Sequence, residues 1–116
     1  MQPLAELWQC ASLQELDLGE NQLSSLPAEL GQLINLQTLF LHQNQLSSLP
    51  AELGKLVYLK WLDLDENQLS NLPAELGQLI NLHTLHLSQN PQLQIPPPEV
   101  VQQGVPAVLA YLRALP

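Results

Sequence analysis

Between Leu13 and Leu23 the apolar positions fall in an uneven rhythm, L-x-x-L-x-L-x-x-N-x-L. The same rhythm returns at Leu36–Leu46 and Leu59–Leu69, and a fourth copy runs from Leu82 to Asn90. Successive copies start at 13, 36, 59 and 82, a constant step of 23 residues. A fixed period of this length predicts stacked units that each bury one face against the next. Within a copy, Leu16 and Leu18 alternate with polar neighbours, the period-two signature of a short half-buried strand. Strands from successive copies then lie side by side as a parallel sheet, with the leucines pointing into a shared core. Asn21, Asn44, Asn67 and Asn90 close the motif where the chain turns inward. Backbone groups in a buried turn need partners, and an amide side chain with two donors and an acceptor oxygen can bridge neighbouring coils. These four residues are therefore expected to form a structural ladder.

The second half of each unit, Leu-Pro-Ala-Glu-Leu-Gly-x-Leu, covers 26–33, 49–56 and 72–79. Pro27, Pro50 and Pro73 are expected to open a short helical turn from inside its first position, where a missing N–H costs nothing. Glu29, Glu52 and Glu75 follow near its positive end. Gly31, Gly54 and Gly77 are expected to end it with φ > 0. Residues 1–12 align with the end of such a unit. Leu7 and Cys10 then take inward slots, which makes Cys10 a small buried hydrophobe. The chain starts mid-unit without a polar cap, which favours an excised piece of a longer protein. After Asn90 the pattern breaks at Pro91, and Leu93 falls one residue late. Val105, Val108, Leu109, Leu112 and Leu115 then form an apolar stripe at helical spacing, a lid over the last unit. The expected organisation is one domain over 1–116: a partial repeat (1–12), full repeats (13–35, 36–58, 59–81), a divergent repeat (82–104) and a capping helix (105–116).

The repeated motif resembles that of leucine-rich repeats. The resemblance implies an α/β solenoid, a right-handed horseshoe with a parallel sheet on the concave face and short helical turns outside. The tail is more specific. Asn90-Pro91-x-Leu93, then Pro96-Pro97-Pro98-Glu99-Val100-Val101-x-Gln103-Gly104, then Ala107-Val108-Leu109-Ala110-Tyr111-Leu112-Arg113, resembles the end of the repeat domain in bacterial Roco proteins. That resemblance implies a parent chain in which the repeats regulate a Ras-like GTPase domain or present partners to it. The GTPase itself is absent from these residues. The Gly54-Lys55 pair is followed by Leu56 and lacks the upstream glycine of a phosphate-binding loop.

Charge narrows the partners. The net charge is −8, with Lys55, Lys60 and Arg113 as the basic residues. That disfavours nucleic acid and anionic membrane, both of which require clustered cations. No apolar run approaches the ~20 residues of a membrane span. Met1–Glu6 shows no basic region followed by an apolar core, so no secretory signal is expected there, and the single cysteine precludes an intrachain disulfide. These features favour a cytoplasmic setting.

The outward strand positions, unlike the leucines, do not repeat. By column they read Glu15/Thr38/Trp61/Thr84, Asp17/Phe40/Asp63/His86, Gly19/His42/Asp65/Ser88 and Glu20/Gln43/Glu66/Gln89. This face is the expected partner-binding surface, carried by Glu15, Asp17, Thr38, Phe40, His42, Trp61, Asp63, Asp65, Thr84 and His86. Phe40 and Trp61 stand one column apart on adjacent strands, close enough to touch. Exposed aromatics ringed by carboxylates fit a protein or peptide partner of basic character. His42, Asp63, Asp65 and His86 offer nitrogen and oxygen ligands of the kind a divalent metal takes. On a flat sheet without a cleft, cross-strand His–Asp pairing is the simpler expectation, and no metal or cofactor is assigned. No nucleophile stands beside a base and no acid–base pair occupies a cleft, so an enzyme is not expected. His83, at a strand start, has no evident role. The functional expectation is a protein–protein interaction module; the alternative is a spacer that positions a neighbouring GTPase or dimerisation domain.

Overall fold

The computed structural model describes residues 6–116. Pro3, Leu4 and Ala5 of the partial repeat lie outside the described residues. Four three-residue strands, β1 (Glu15–Asp17), β2 (Thr38–Phe40), β3 (Trp61–Asp63) and β4 (Thr84–His86), form one parallel sheet in chain order. The register is that of the 23-residue repeat. Leu16 pairs with Leu39, Leu39 with Leu62 and Leu62 with Leu85. Opposite the sheet stand three 3₁₀ turns, η1 (Ala28–Gln32), η2 (Ala51–Lys55) and η3 (Ala74–Gln78). Two α-helices, α1 (Pro98–Val101) and α2 (Val105–Arg113), close the C-terminal end.

The core is a stack of leucine rungs. In the second full repeat Leu36, Leu39, Leu41, Leu46, Leu53 and Leu56 are wholly buried. At the ends the equivalents Leu13, Leu18, Leu85 and Leu87 are only partly covered. A rung needs a neighbour on each side to lose all its exposure, and the terminal rungs have one.

The asparagine ladder runs through the middle of this stack. Asn67 Nδ2 donates to the carbonyls of Leu41, Leu64 and Asp65, while its Oδ1 accepts from Leu46 N–H at 3.1 Å. Asn44 repeats the set on Leu18, Leu41, His42 and Leu23, and Asn90 repeats it on Leu64, Leu87, Ser88 and Leu69. Asn21 differs. It is exposed and, among the described residues, donates only within its own repeat, to Leu18 and Gly19, where no earlier strand-and-turn unit is described beside it. Asn35 and Asn81 form a second, shallower set of rungs, reaching back to the carbonyls of Ala11 and Val57. Tyr58 stands at the equivalent position between them and interrupts the series.

Several local expectations are corrected. The prolines precede the turns instead of occupying their first position: Pro27, Pro50 and Pro73 are extended, and the carbonyl of each accepts from the leucine three residues on. A five-residue turn is too short for α-helical hydrogen bonds to pay off, so it closes as 3₁₀. Gly31, Gly54 and Gly77 lie inside these turns, and the sole glycine with positive φ among the described residues is Gly104. Their reason is close approach. A methyl group on Gly31 would meet the Glu52 carbonyl at 2.9 Å, and one on Gly54 would overlap the Glu75 carbonyl. Gly54→Ala is accordingly expected to lower stability by roughly 1–3 kcal/mol, the usual cost of overpacking, and Gly31→Ala by less; urea midpoints of the two variants check the order.

Cys10 is exposed, and the neighbouring Trp8 is buried instead. Trp8 occupies the column of Gly31, Gly54 and Gly77, one repeat earlier. Cys10 supplies the turn carbonyl that Leu33 supplies in the next repeat, but no preceding unit covers its side chain. At the other end α2 packs on η3. Val108, Leu109 and Leu112 are buried there, Val105 and Leu115 partly so, and Arg113 Nη1 donates to the Gly77 carbonyl at 3.0 Å. The capping helix follows its expected stripe; α1, a single turn opened by the proline run, is an addition.

Candidate binding face

The sheet has one buried side and one solvent side, and the solvent side gathers the chain's varied residues. Each strand contributes its first and third positions, because successive side chains point to opposite faces. Glu15, Thr38, Trp61 and Thr84 form one row; Asp17, Phe40, Asp63 and His86 form the next. Beyond the strands the pairing continues through Leu18, Leu41 and Leu64, whose N–H groups donate to Phe40, Asp63 and His86. This extension carries the third row, Gly19, His42, Asp65 and Ser88. The fourth column is not part of the strand surface. Glu20, Gln43, Glu66 and Gln89 have φ of 57–59°, the left-handed region. That turn lets the N–H groups of Glu20, Gln43 and Glu66 reach the next repeat at 2.9 Å, a gain that offsets the roughly 1–2 kcal/mol such a backbone costs an L-residue.

The imidazoles and carboxylates meet diagonally across rows. His42 Nδ1 lies 3.8 Å from Asp63 Oδ2, and His86 Nδ1 lies 3.6 Å from Asp65 Oδ2. His42 Nε2 is 4.0 Å from Glu20 Oε2. The second oxygens of the two central carboxylates are tied to the backbone: Asp63 Oδ1 accepts from Asp65 N–H at 3.1 Å, and Asp65 Oδ1 accepts from Ser88 N–H at 2.6 Å. On the edge strand, Asp17 Oδ1 accepts from Gly19 N–H at 2.8 Å. The His42 ring lies over Gly19, in space that any Cβ there would fill.

Phe40 and Trp61 do not pair with each other. Phe40 meets His42 edge-on, centroids 6.2 Å apart, and Trp61 lies tilted against His86 at 5.6 Å. Phe40 takes the imidazole two residues along its own strand and Trp61 the one diagonal to it on the next strand, which leaves the indole 40% exposed in the centre of the sheet. Glu15, Asp17, Glu20, Asp63, Asp65 and Glu66 share the four columns with these rings, and none of the chain's three basic residues lies there. The face is shallow. The surface hollows of about 270, 310 and 250 Å³ lie elsewhere, beside Pro96 and Val101, between Ile80 and Leu109, and between Gly31 and Glu52.

The family described as leucine-rich repeat matches residues 11–69 and 34–91, most of the chain. The chain belongs to the leucine-rich-repeat family. Domains of this family generally mediate protein–protein interaction and are typically non-enzymatic. Among solved structures, this leucine-rich-repeat chain is similar to the leucine-rich-repeat protein LIC12759 of Leptospira interrogans, with 52% identity and a TM-score of 0.71. The match covers 72% of this chain and 21% of that one, so the repeats span about a fifth of the Leptospira protein. A comparison with curated proteins gave no significant match. No helix of the described residues is long and apolar enough to cross a membrane.

A second exposed feature escaped the sequence reading. Ile34, Val57 and Ile80 recur at the 23-residue step and are 52%, 41% and 74% exposed. The spacing was visible, but apolar residues in a leucine-rich unit read as core. Only the stacked coils show that this column lies outside it.

Proposed function

We propose that the solvent face of the sheet binds a protein or peptide segment of basic character. The observation that carries this reading is Trp61: an indole 40% exposed in mid-sheet, between Thr38 and Thr84, on a face rich in carboxylates. A half-exposed indole gains on contact, and tryptophan is enriched among residues that dominate binding energy. The acidic rim steers a basic segment toward it. The contact set is Glu15, Asp17, Thr38, Phe40, His42, Trp61, Asp63, Asp65, Thr84 and His86, with residues 1–116 as one domain divided at its repeats.

The same reading makes the chain a module of a larger cytoplasmic Roco-type GTPase protein, supported by the tail from Asn90 to Arg113. The packing of α2 on η3 fits a segment that ends the repeats and leads toward a neighbouring domain. The competing role, a spacer, needs no contact at the sheet face at all.

Panning a random peptide library on the intact chain separates the two. Selected peptides are expected to be rich in Lys and Arg and to change the fluorescence of Trp61; the other tryptophan, Trp8, is buried. The Phe40→Ala/Trp61→Ala variant is expected to lose these peptides while keeping its circular-dichroism spectrum and its melting temperature nearly unchanged. Charge reversal at Asp63 and Asp65 should weaken binding less, and mainly at low salt, where screening is weakest. Equal capture by the double aromatic variant would remove the sheet face from recognition and leave the spacer.

A further inference from the structure

We propose that Asp63, Asp65 and His86, with His42 beside them, bind one divalent ion of the zinc type on the sheet face. One ligand atom from each of the first three lies within 4.8 Å of the others. The two diagonal His–Asp separations, 3.6 and 3.8 Å, are too long for hydrogen bonds. They are close to the roughly 3.4 Å that separates two ligands bonded at 2.0–2.1 Å to a tetrahedral ion. A contraction of a few tenths of an ångström separates these pairs from that spacing.

The surroundings orient the donors. Because Asp63 Oδ1 and Asp65 Oδ1 accept backbone N–H groups, each Oδ2 turns toward an imidazole. Such outer bonds position metal-binding carboxylates. The indole of Trp61 lies against His86 and limits its ring rotation. His42 supplies an independent observation. Its Nδ1 is shielded from water and has no hydrogen-bond partner, an unusual state for a buried polar atom. Nδ1 faces Asp63 Oδ2 at 3.8 Å, and Nε2 faces Glu20 Oε2 at 4.0 Å. Cross-strand pairing alone would satisfy this nitrogen; here it does not.

The donor set decides the ion. The imidazole nitrogen of His86 and the carboxylate oxygens of Asp63 and Asp65 suit Zn²⁺ and its copper and nickel neighbours, with His42 or water as the fourth donor. Ca²⁺ takes six to eight oxygens and Mg²⁺ a near-ideal octahedron of them. The excess of carboxylates on this face adds a general attraction for any cation, so selectivity is the informative readout.

Calorimetric titration of the intact chain with ZnCl₂ tests the site. One ion per chain is expected, with no comparable heat from CaCl₂. Asp65→Asn, which keeps the acceptor for Ser88 N–H, and His86→Gln should each weaken Zn²⁺ binding at least about tenfold. His83→Ala removes an exposed histidine outside the cluster and should change nothing. Circular dichroism verifies that each variant folds. Absence of Zn²⁺ binding, equal affinity in either cluster variant, or Ca²⁺ binding as tight as Zn²⁺ would each overturn the site. The outcome is independent of peptide capture, since the titration contains no peptide.

Discussion

Asn67→Ala is expected to lower the stability of the chain by about 3 kcal/mol, the upper end of the cost of orphaning buried polar groups. The residue is 4% exposed and makes four hydrogen bonds to the backbone of two repeats, its own and the preceding one. The carbonyls of Leu41 and Leu64 retain Asn44 and Asn90 as partners. Leu46 N–H retains nothing, and its residue is wholly buried. For a domain of this size the loss corresponds to a fall in Tm of roughly 10 °C. Asn44→Ala, one rung earlier, should cost roughly 1–3 kcal/mol by the same route. Asn21→Ala is the internal control. Its side chain is exposed and bonds only locally, so its melting temperature should fall by a small fraction of the Asn67 effect. Equal shifts at positions 21 and 67 would show that the amide acts through its own turn and not by bridging coils.

Removal of residues 105–116 is expected to have a larger effect still. Val108, Leu109 and Leu112 are buried against η3, and each such side chain contributes about 1.5–3 kcal/mol through burial. Their joint loss, on the order of 5–8 kcal/mol, rivals the whole stability of a small domain. It also bares Leu76, Gly77 and Leu79, an apolar end with the shape to stack on another copy. The truncated chain should unfold or associate, as read by melting temperature and by sedimentation. Leu112→Ala gives a graded version, costing about 2–5 kcal/mol with the chain intact. A truncated chain that stays monomeric and melts as before would mean that α2 belongs to a neighbouring domain and only rests on this one.

The sequence by itself determined the repeat, the strand positions, their register, the inward leucines and the capping helix. One 23-residue period controls all of these. Once Leu16, Leu39, Leu62 and Leu85 occupy equivalent places, a parallel stack aligns every other column with them. The rows of the sheet face were legible for the same reason.

What only the tertiary structure decided is what happens between columns and at the ends. Which side chain an aromatic touches depends on how its neighbours lean, along its own strand or across to the next. Phe40 took His42 and Trp61 took His86, although both aromatics were within reach of each other by register alone. The glycines of the turns look like helix terminators in a linear chain; their need for the missing methyl comes from the carbonyl of the next coil. Glu20, Gln43, Glu66 and Gln89 carry no residue-type sign of positive φ, since neither Glu nor Gln favours it; in the first three a hydrogen bond to the next repeat accompanies it. Cys10 and Asn21 differ from their repeat equivalents because burial in a solenoid is conferred by both neighbours. Periodicity describes a residue's own unit and is silent about the unit that is not beside it.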